Sequence, residues 1–241
     1  MNGMFAAILT QASLLVGTSA GFNQPGSTSP SEYFERVNTE TVEKNISLRS
    51  GGLILLDTQF GNVAIEEYEG KEVKVELRLR GTPEAISNFR FTHNYFGNQV
   101  TLKAWYERNP GSKNYDLQQA EFVVMVPRSS SYAIRAVTKQ GNIDAAVTGS
   151  MKNVELLTEA GKVRLAVPSN LSACIDASTS GLGEVRINPM DVFSELCPEC
   201  EVRTDSHLKV RMNGGGCSIT AYSGIGSVYF EITPPKNPSQ S

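Results

Sequence analysis

The dominant signal along this chain is an alternation of apolar and polar residues with period two. From Glu72 to Arg80 every odd position, Val73 to Leu79, is aliphatic and every even one is charged. That pattern predicts a strand with one buried face. The same alternation predicts strands over 62–65, 99–105, 162–167, 184–187, 208–212 and 227–232. Residues 120–126, Ala-Glu-Phe-Val-Val-Met-Val, are nearly continuous in apolar side chains and predict a strand covered on both faces. Helical patterning is scarce. It is confined to short segments behind Thr82-Pro83 and around Met190–Leu196.

The strands repeat. A Gly, one polar residue and a Val or Ile open Gly61-Asn62-Val63, Gly141-Asn142-Ile143, Gly161-Lys162-Val163, Gly183-Glu184-Val185 and Gly226-Ser227-Val228. The Gly permits the positive φ of a tight corner, and the β-branched residue behind it starts an inward-facing row. Successive apolar openers at Ile143, Val154, Val163, Ile175 and Val185 lie close along the chain. Units this short cannot bury a core alone and must stack on neighbours. The expected fold is therefore all-β, a single-stranded β-helix or solenoid. An antiparallel β-sandwich is the alternative, because frequent turn signals suit that class too.

These segments resemble the bacterial DUF4097 family, known as a putative-adhesin repeat family. The resemblance rests on 51–63 with Glu72–Glu76 behind it, on Phe122–Pro127, and on Val137–Ile143 with its successors through Ala177–Gly181. It covers most of residues 50–232 and implies a right-handed β-solenoid exported to the cell envelope, with an adhesin-like role. The chain departs from the repeat between Ile187 and His207, where a Cys-bearing insertion over 188–207 interrupts it.

The ends read differently from this middle. Met1–Pro30 contains no Asp, Glu, Lys or Arg, and Met4–Val16 is mostly apolar. With Thr18 and Ala20 placed as a signal peptidase requires, residues 1–20 read as an export signal, although the usual leading positive charge is missing. The apolar run is too short to span a bilayer. Residues 21–50 read as a linker leading into the repeats, residues 51–233 as the β-repeat domain, and the Pro-rich 234–241 as a loose tail. With 22 Lys plus Arg against 25 Asp plus Glu, the formal charge of −3 excludes a generally basic nucleic-acid binder.

Candidate chemistry is sparse. Gly17-Thr18-Ser19-Ala20-Gly21 has the spacing of a nucleophile elbow but lies in the export signal, without the strand, helix, acid and His that chemistry needs. Gly161-Lys162 lacks the first Gly and the Ser or Thr of a phosphate loop. His93 and His207 are far apart and read as solvated. Glu66 and Glu67 are strand neighbours, so they point to opposite faces and make a poor acid-base pair.

Cys174, Cys197, Cys200 and Cys217 are the most informative set. Export favours two structural disulfides, in any of three pairings, over a zinc site, which would usually show two close Cys pairs. A redox dithiol at Cys197-Cys200 lacks its βαβ context. Tyr95, Phe96, Trp105, Tyr106 and Tyr115 cluster along the chain, and Trp105, Tyr106 and Tyr115, beside the polar loop 107–114, form a candidate aromatic binding platform. The function expected is non-enzymatic: an exported, adhesin-like repeat protein that binds a protein or glycan at the cell surface without a cofactor. The alternative is a carbohydrate-active lyase or glycosidase on the same scaffold, which acids and aromatics meeting in one groove would favour.

Overall fold

The alternation seen at 72–80 becomes a strand in which Val73, Val75, Leu77 and Leu79 are all buried while Lys74, Arg78 and Arg80 are not. The computed structural model describes residues 37–107, 117–180, 183–197 and 200–234, with backbone alone for 200–202. These belong to the larger of two units, Glu35–Ser241. The proposed export signal, Tyr115 and the tail from 235 lie outside the described residues.

The fold is all-β, with two large mixed sheets stacked in a sandwich-like body. In spatial order the first sheet contains β1 (Asn38–Ile46), β4 (Val73–Gly81), β7 (Leu117–Pro127), β3 (Asn62–Tyr68), β9 (Ile143–Ala146), β11 (Val163–Pro168), β17 (Val228–Thr233) and β13 (Val185–Asn188). The second contains β14 (Cys200–Arg203), β15 (His207–Met212), β12 (Ala173–Thr179), β16 (Cys217–Ile225), β10 (Met151–Ala160), β8 (Tyr132–Gln140), β2 (Gly52–Phe60), β6 (Gln99–Tyr106) and β5 (Phe89–Phe96). β1 falls inside the stretch read as a linker, where it pairs with β4 from Asn38↔Gly81 to Ile46↔Val73.

The sandwich-like arrangement is not the antiparallel one offered as the alternative. From β7 to β13 and from β6 to β12 every neighbouring pair is parallel, and the antiparallel pairs sit at the ends of the sheets. Parallel neighbours need a crossover between them. Here the crossover is a strand of the other sheet: β2 runs into β3, β8 into β9, β10 into β11 and β16 into β17. Openers that follow one another in sequence therefore alternate between sheets. Val154 and Ile175 stand in the second sheet, and Ile143, Val163 and Val185 in the first.

Spatial order also departs from chain order. β17 lies between β11 and β13, so Val228 separates Val163 from Val185 in the register, and β16 likewise separates β10 from β12. The inward rows are continuous across the stack. Phe122, Val63, Ile143, Val163 and Val228 form one row and Ile54, Ile134, Val154, Ile219 and Ile175 another, all of them buried.

A polar row is buried with them. Thr58, Thr138, Thr158, Ser223 and Thr179 are in register across five strands of the second sheet, none more than 6% exposed. Four of the hydroxyls donate to the carbonyl of a corner Gly in the neighbouring rung. Thr138 reaches Gly61 at 3.1 Å, Thr158 reaches Gly141 at 2.9 Å, Ser223 reaches Gly161 at 2.8 Å and Thr179 reaches Gly226 at 2.8 Å. The fifth, Thr58, donates to the Phe60 carbonyl at 2.8 Å, so each buried hydroxyl is satisfied, which makes its burial tolerable. The corners stack so closely that a Cβ on Gly161 would stand 2.0 Å from the Gly141 carbonyl oxygen.

Both short helices form where expected. In α1 (Pro83–Ser87) the Thr82 hydroxyl accepts from the Ala85 amide at 3.2 Å and Pro83 occupies the first turn, a local stop-and-start signal. α2 (Met190–Leu196) buries Phe193, whose ring meets Phe230 edge-on at 6.1 Å. It lies in the insertion, at the β13 end of the stack.

Candidate functional site

The outward positions of the first sheet form a second set of rows, because a two-residue period exposes what it does not bury. Asp144, Arg164, Tyr229 and Arg186 are in register on β9, β11, β17 and β13. Each stands three residues behind its corner Gly. Beside them runs the row Ala146, Ala166, Glu231 and Asn188. The first row, with Glu231 and Asn188 of the second, lines a cleft of about 450 Å³ that also takes in Asn142 and Lys162. It continues into a second depression of about 490 Å³ whose floor contains Ala64, Ala146 and Ala166. Small residues in the second row leave room for the long side chains of the first.

The charges within the cleft are tied to one another. Arg164 donates to Glu231 through Nη2 at 2.5 Å and Nε at 3.0 Å. Arg186 donates through Nε to Glu184 at 2.7 Å. The Tyr229 ring lies within cation–π reach of Lys162, at 5.8 Å, and of Arg186, at 5.9 Å. Partial burial pushes the Asp144 carboxyl above its ordinary range, and the nearby Arg164 pulls against that shift. At the edge of the cleft the Asn62 side-chain oxygen accepts the Asn142 amide at 2.9 Å, and the Asn142 side-chain oxygen accepts the Lys162 amide at 2.9 Å. These asparagines clip successive rungs together and hold the rows in register.

None of these residues stood out in the sequence, where they are scattered from 144 to 231. Their signal is the common offset of three residues behind the corner Gly, together with Thr or Ser three residues ahead of all five corners.

The residues singled out earlier are dispersed. Trp105 and Tyr106 are adjacent on β6 and so project to opposite faces: Trp105 is in register with Arg90, Tyr106 with Phe89. Tyr106 borders a cleft of about 620 Å³ with Phe60, Leu117 and the exposed Ile225. Tyr95 and Phe96, on edge strand β5, are 51% and 85% exposed. His93 meets the Tyr95 ring edge-on, and His207 Nε2 lies 2.9 Å from Asp176 Oδ1. Glu66 is exposed, whereas the Glu67 side chain is buried against Arg128 at 3.4 Å and receives the Ser150 hydroxyl; the two acids do not face each other.

Cys174 and Cys217 are thiols on neighbouring strands one residue out of register, with Cys174 exposed and Cys217 buried. The alternation directs them to opposite faces, so the register gives no support to a bridge between them. Burial, with a contribution from Cys174, pushes the Cys217 thiol up to about 11. Cys197 is buried at the end of α2, and the Cys200 side chain lies outside the described residues. Among the described residues no group of three or more His, Cys, Asp or Glu is placed to hold a metal ion.

No protein-family model matches the chain, and no curated protein shows significant similarity to it. Among solved structures it is similar to a putative cell adhesion protein from Clostridium sporogenes, with a TM-score of 0.51 at 12% identity over 82% of this chain and 100% of that one. It also aligns with a putative adhesin from Bacteroides fragilis, TM-score 0.26 at 10% identity over 80% and 97% of the two chains. A putative lipid binding protein from Parabacteroides distasonis aligns with a TM-score of 0.22 at 8% identity over 81% and 97%. The Clostridium protein is the one of these three that reaches the level of a shared fold.

Proposed function

We propose that this protein is an exported, adhesin-like member of the cell envelope whose two sheets are the sides of a β-solenoid, and that it binds a partner rather than catalysing a reaction. The observation that carries this reading is the row Asp144, Arg164, Tyr229 and Arg186, four polar side chains, three of them long, held at fixed spacing in register across four strands. A face whose rows are clipped by buried hydroxyls and asparagines is pre-organised, so little ordering opposes binding. The name carried by the Clostridium sporogenes protein of similar fold is consistent with adhesion.

The competing enzyme reading has one observation in its favour, the raised Asp144 carboxyl in the same cleft as Glu231. Glycoside cleavage needs one carboxyl to give a proton and the other to act as nucleophile or base. Glu231 is instead held by two contacts from Arg164. The test is to titrate labelled full-length protein onto intact bacterial and mammalian cells while assaying polysaccharide supernatants for new reducing or unsaturated ends. Saturable binding without new ends is expected. Absence of saturable binding overturns the adhesin reading, and release of new ends moves the protein to the enzyme class.

A further inference from the structure

We infer that the cleft on the first sheet binds a neutral glycan chain lying across the strands, an assignment that rests on the binding reading above and gives it a site and a ligand class. The first argument is charge. Three cations, Lys162, Arg164 and Arg186, are matched by three acids, Asp144, Glu184 and Glu231. Arg164 and Arg186 are already engaged by carboxylates, so a polyanion would have to displace internal partners for each contact it gained. A polycation meets the same obstacle from the other sign. A ligand without net charge can bind while those pairs stay intact.

The second argument is hydrogen-bonding geometry. Arg164 and Arg186 each engage their carboxylate through Nε and Nη2, and Glu231 and Glu184 each accept through a single oxygen, so Nη1 of each arginine and the second oxygen of each carboxylate take no part in the pairs. A sugar hydroxyl can meet either kind of group with the pairs intact, because it both donates and accepts. Asn188 adds an amide with both functions on the same face. The Tyr229 ring supplies an apolar wall with a polar tip, which suits the amphipathic body of a pyranose.

The third argument is spacing. Neighbouring strands lie about 4.8 Å apart, so the row from Asp144 to Arg186, three intervals long, extends about 14 Å. The repeat of a chain of pyranose rings is comparable with one strand interval. A saccharide laid across the strands therefore meets a new side chain of the row at each ring, and the alanine floor at Ala146 and Ala166 leaves it room.

The experiment measures binding of the full-length protein to immobilised cellohexaose and mannohexaose as neutral probes, and to oligogalacturonate and hyaluronate as acidic ones. Tyr229→Ala and Arg164→Ala are compared with Arg135→Ala, which breaks an ion pair with Glu155 in the second sheet. Thermal midpoints of all three variants confirm that each is folded. The expected result is binding to a neutral probe that changes little between low and high salt. It weakens at least tenfold in both cleft variants and less than twofold in Arg135→Ala. Preference for the acidic probes, or equal losses in all three variants, overturns the inference. Saturable binding to cells without binding to either neutral probe overturns it while leaving the adhesin reading standing, and absence of both removes the two together.

Discussion

Replacing Gly161 by alanine tests the stacked corners on which the binding face depends. Gly161 has φ of +156°, and an added Cβ would meet the Gly141 carbonyl oxygen at 2.0 Å and its carbon at 2.6 Å. No side chain rotation relieves this, because both the Cβ and the atoms it strikes are fixed to the backbone. The Gly141 oxygen is also the acceptor of the Thr158 hydroxyl, and the Gly161 amide donates to Ile225 at 2.9 Å, so moving either rung disturbs a second contact. Backbone strain of about 1–3 kcal/mol and overpacking of about 1–3 kcal/mol together predict a loss of roughly 2–6 kcal/mol. Gly97→Ala is the control. That residue also has positive φ, +60°, but its Cβ would meet nothing within 4 Å, so the conformational penalty of about 1–2 kcal/mol stands alone. Urea denaturation of the wild type and both variants measures the difference, with equal slopes required for the comparison. Equal losses at Gly97 and Gly161 would refute the close approach of successive corners.

Other outcomes follow from the same geometry. Val163→Asp should cost about 3–6 kcal/mol in chemical denaturation, combining lost apolar burial with an unpartnered polar group at a fully buried position. Arg164→Gln, on the opposite face, should stay within about 1 kcal/mol because its ion pair is exposed; a reversed order would place the strand in the wrong register. Because burial raises the folded-state pKa of Asp144 above the ordinary 3.8, ionising it opposes folding at neutral pH, and that penalty vanishes once the unfolded state is also protonated. Asp144→Asn should therefore gain stability relative to wild type at pH 7 and lose that advantage as pH falls below about 3.8, whereas an advantage independent of pH would count against the burial argument. In alkylation at pH 8 followed by mass measurement, Cys174 should react quickly and Cys217 slowly, since its thiol is pushed up to about 11 and the thiolate is the reactive form. Protection of Cys174 and Cys217 until reduction would reveal a bridge between them.

Strand positions and their buried faces were legible in the amino-acid sequence because alternation is a local property. Val163 inward and Arg164 outward follow from neighbouring side chains pointing to opposite sides of one strand, whatever the strand packs against. The first helix was legible for a similar reason, since Thr82 and Pro83 act on the turn that immediately follows them. Local signals also correctly set Glu66 and Glu67 on different faces. They did not reach β1 at 38–46, whose polar character concealed a strand that owes its place to its pairing with β4.

Tertiary structure alone decided which strand lies beside which. A rung opened by Val228 presents the same corner and the same inward row as one opened by Val185, so the repeat pattern does not distinguish the order β11, β17, β13 from chain order. After β13 the chain passes through the insertion and β15 before it returns as β16 and β17, each docked between strands that precede it in the chain. The candidate site depends on the same choice. Asp144, Arg164, Tyr229 and Arg186 become a row because four rungs stack in that sequence, and the ion pair between Arg164 and Glu231 exists because β17, distant along the chain, docks directly on β11. Side-chain direction is a property of a strand and its neighbours in sequence, whereas a binding face is a property of contacts between strands, which only the folded chain brings together.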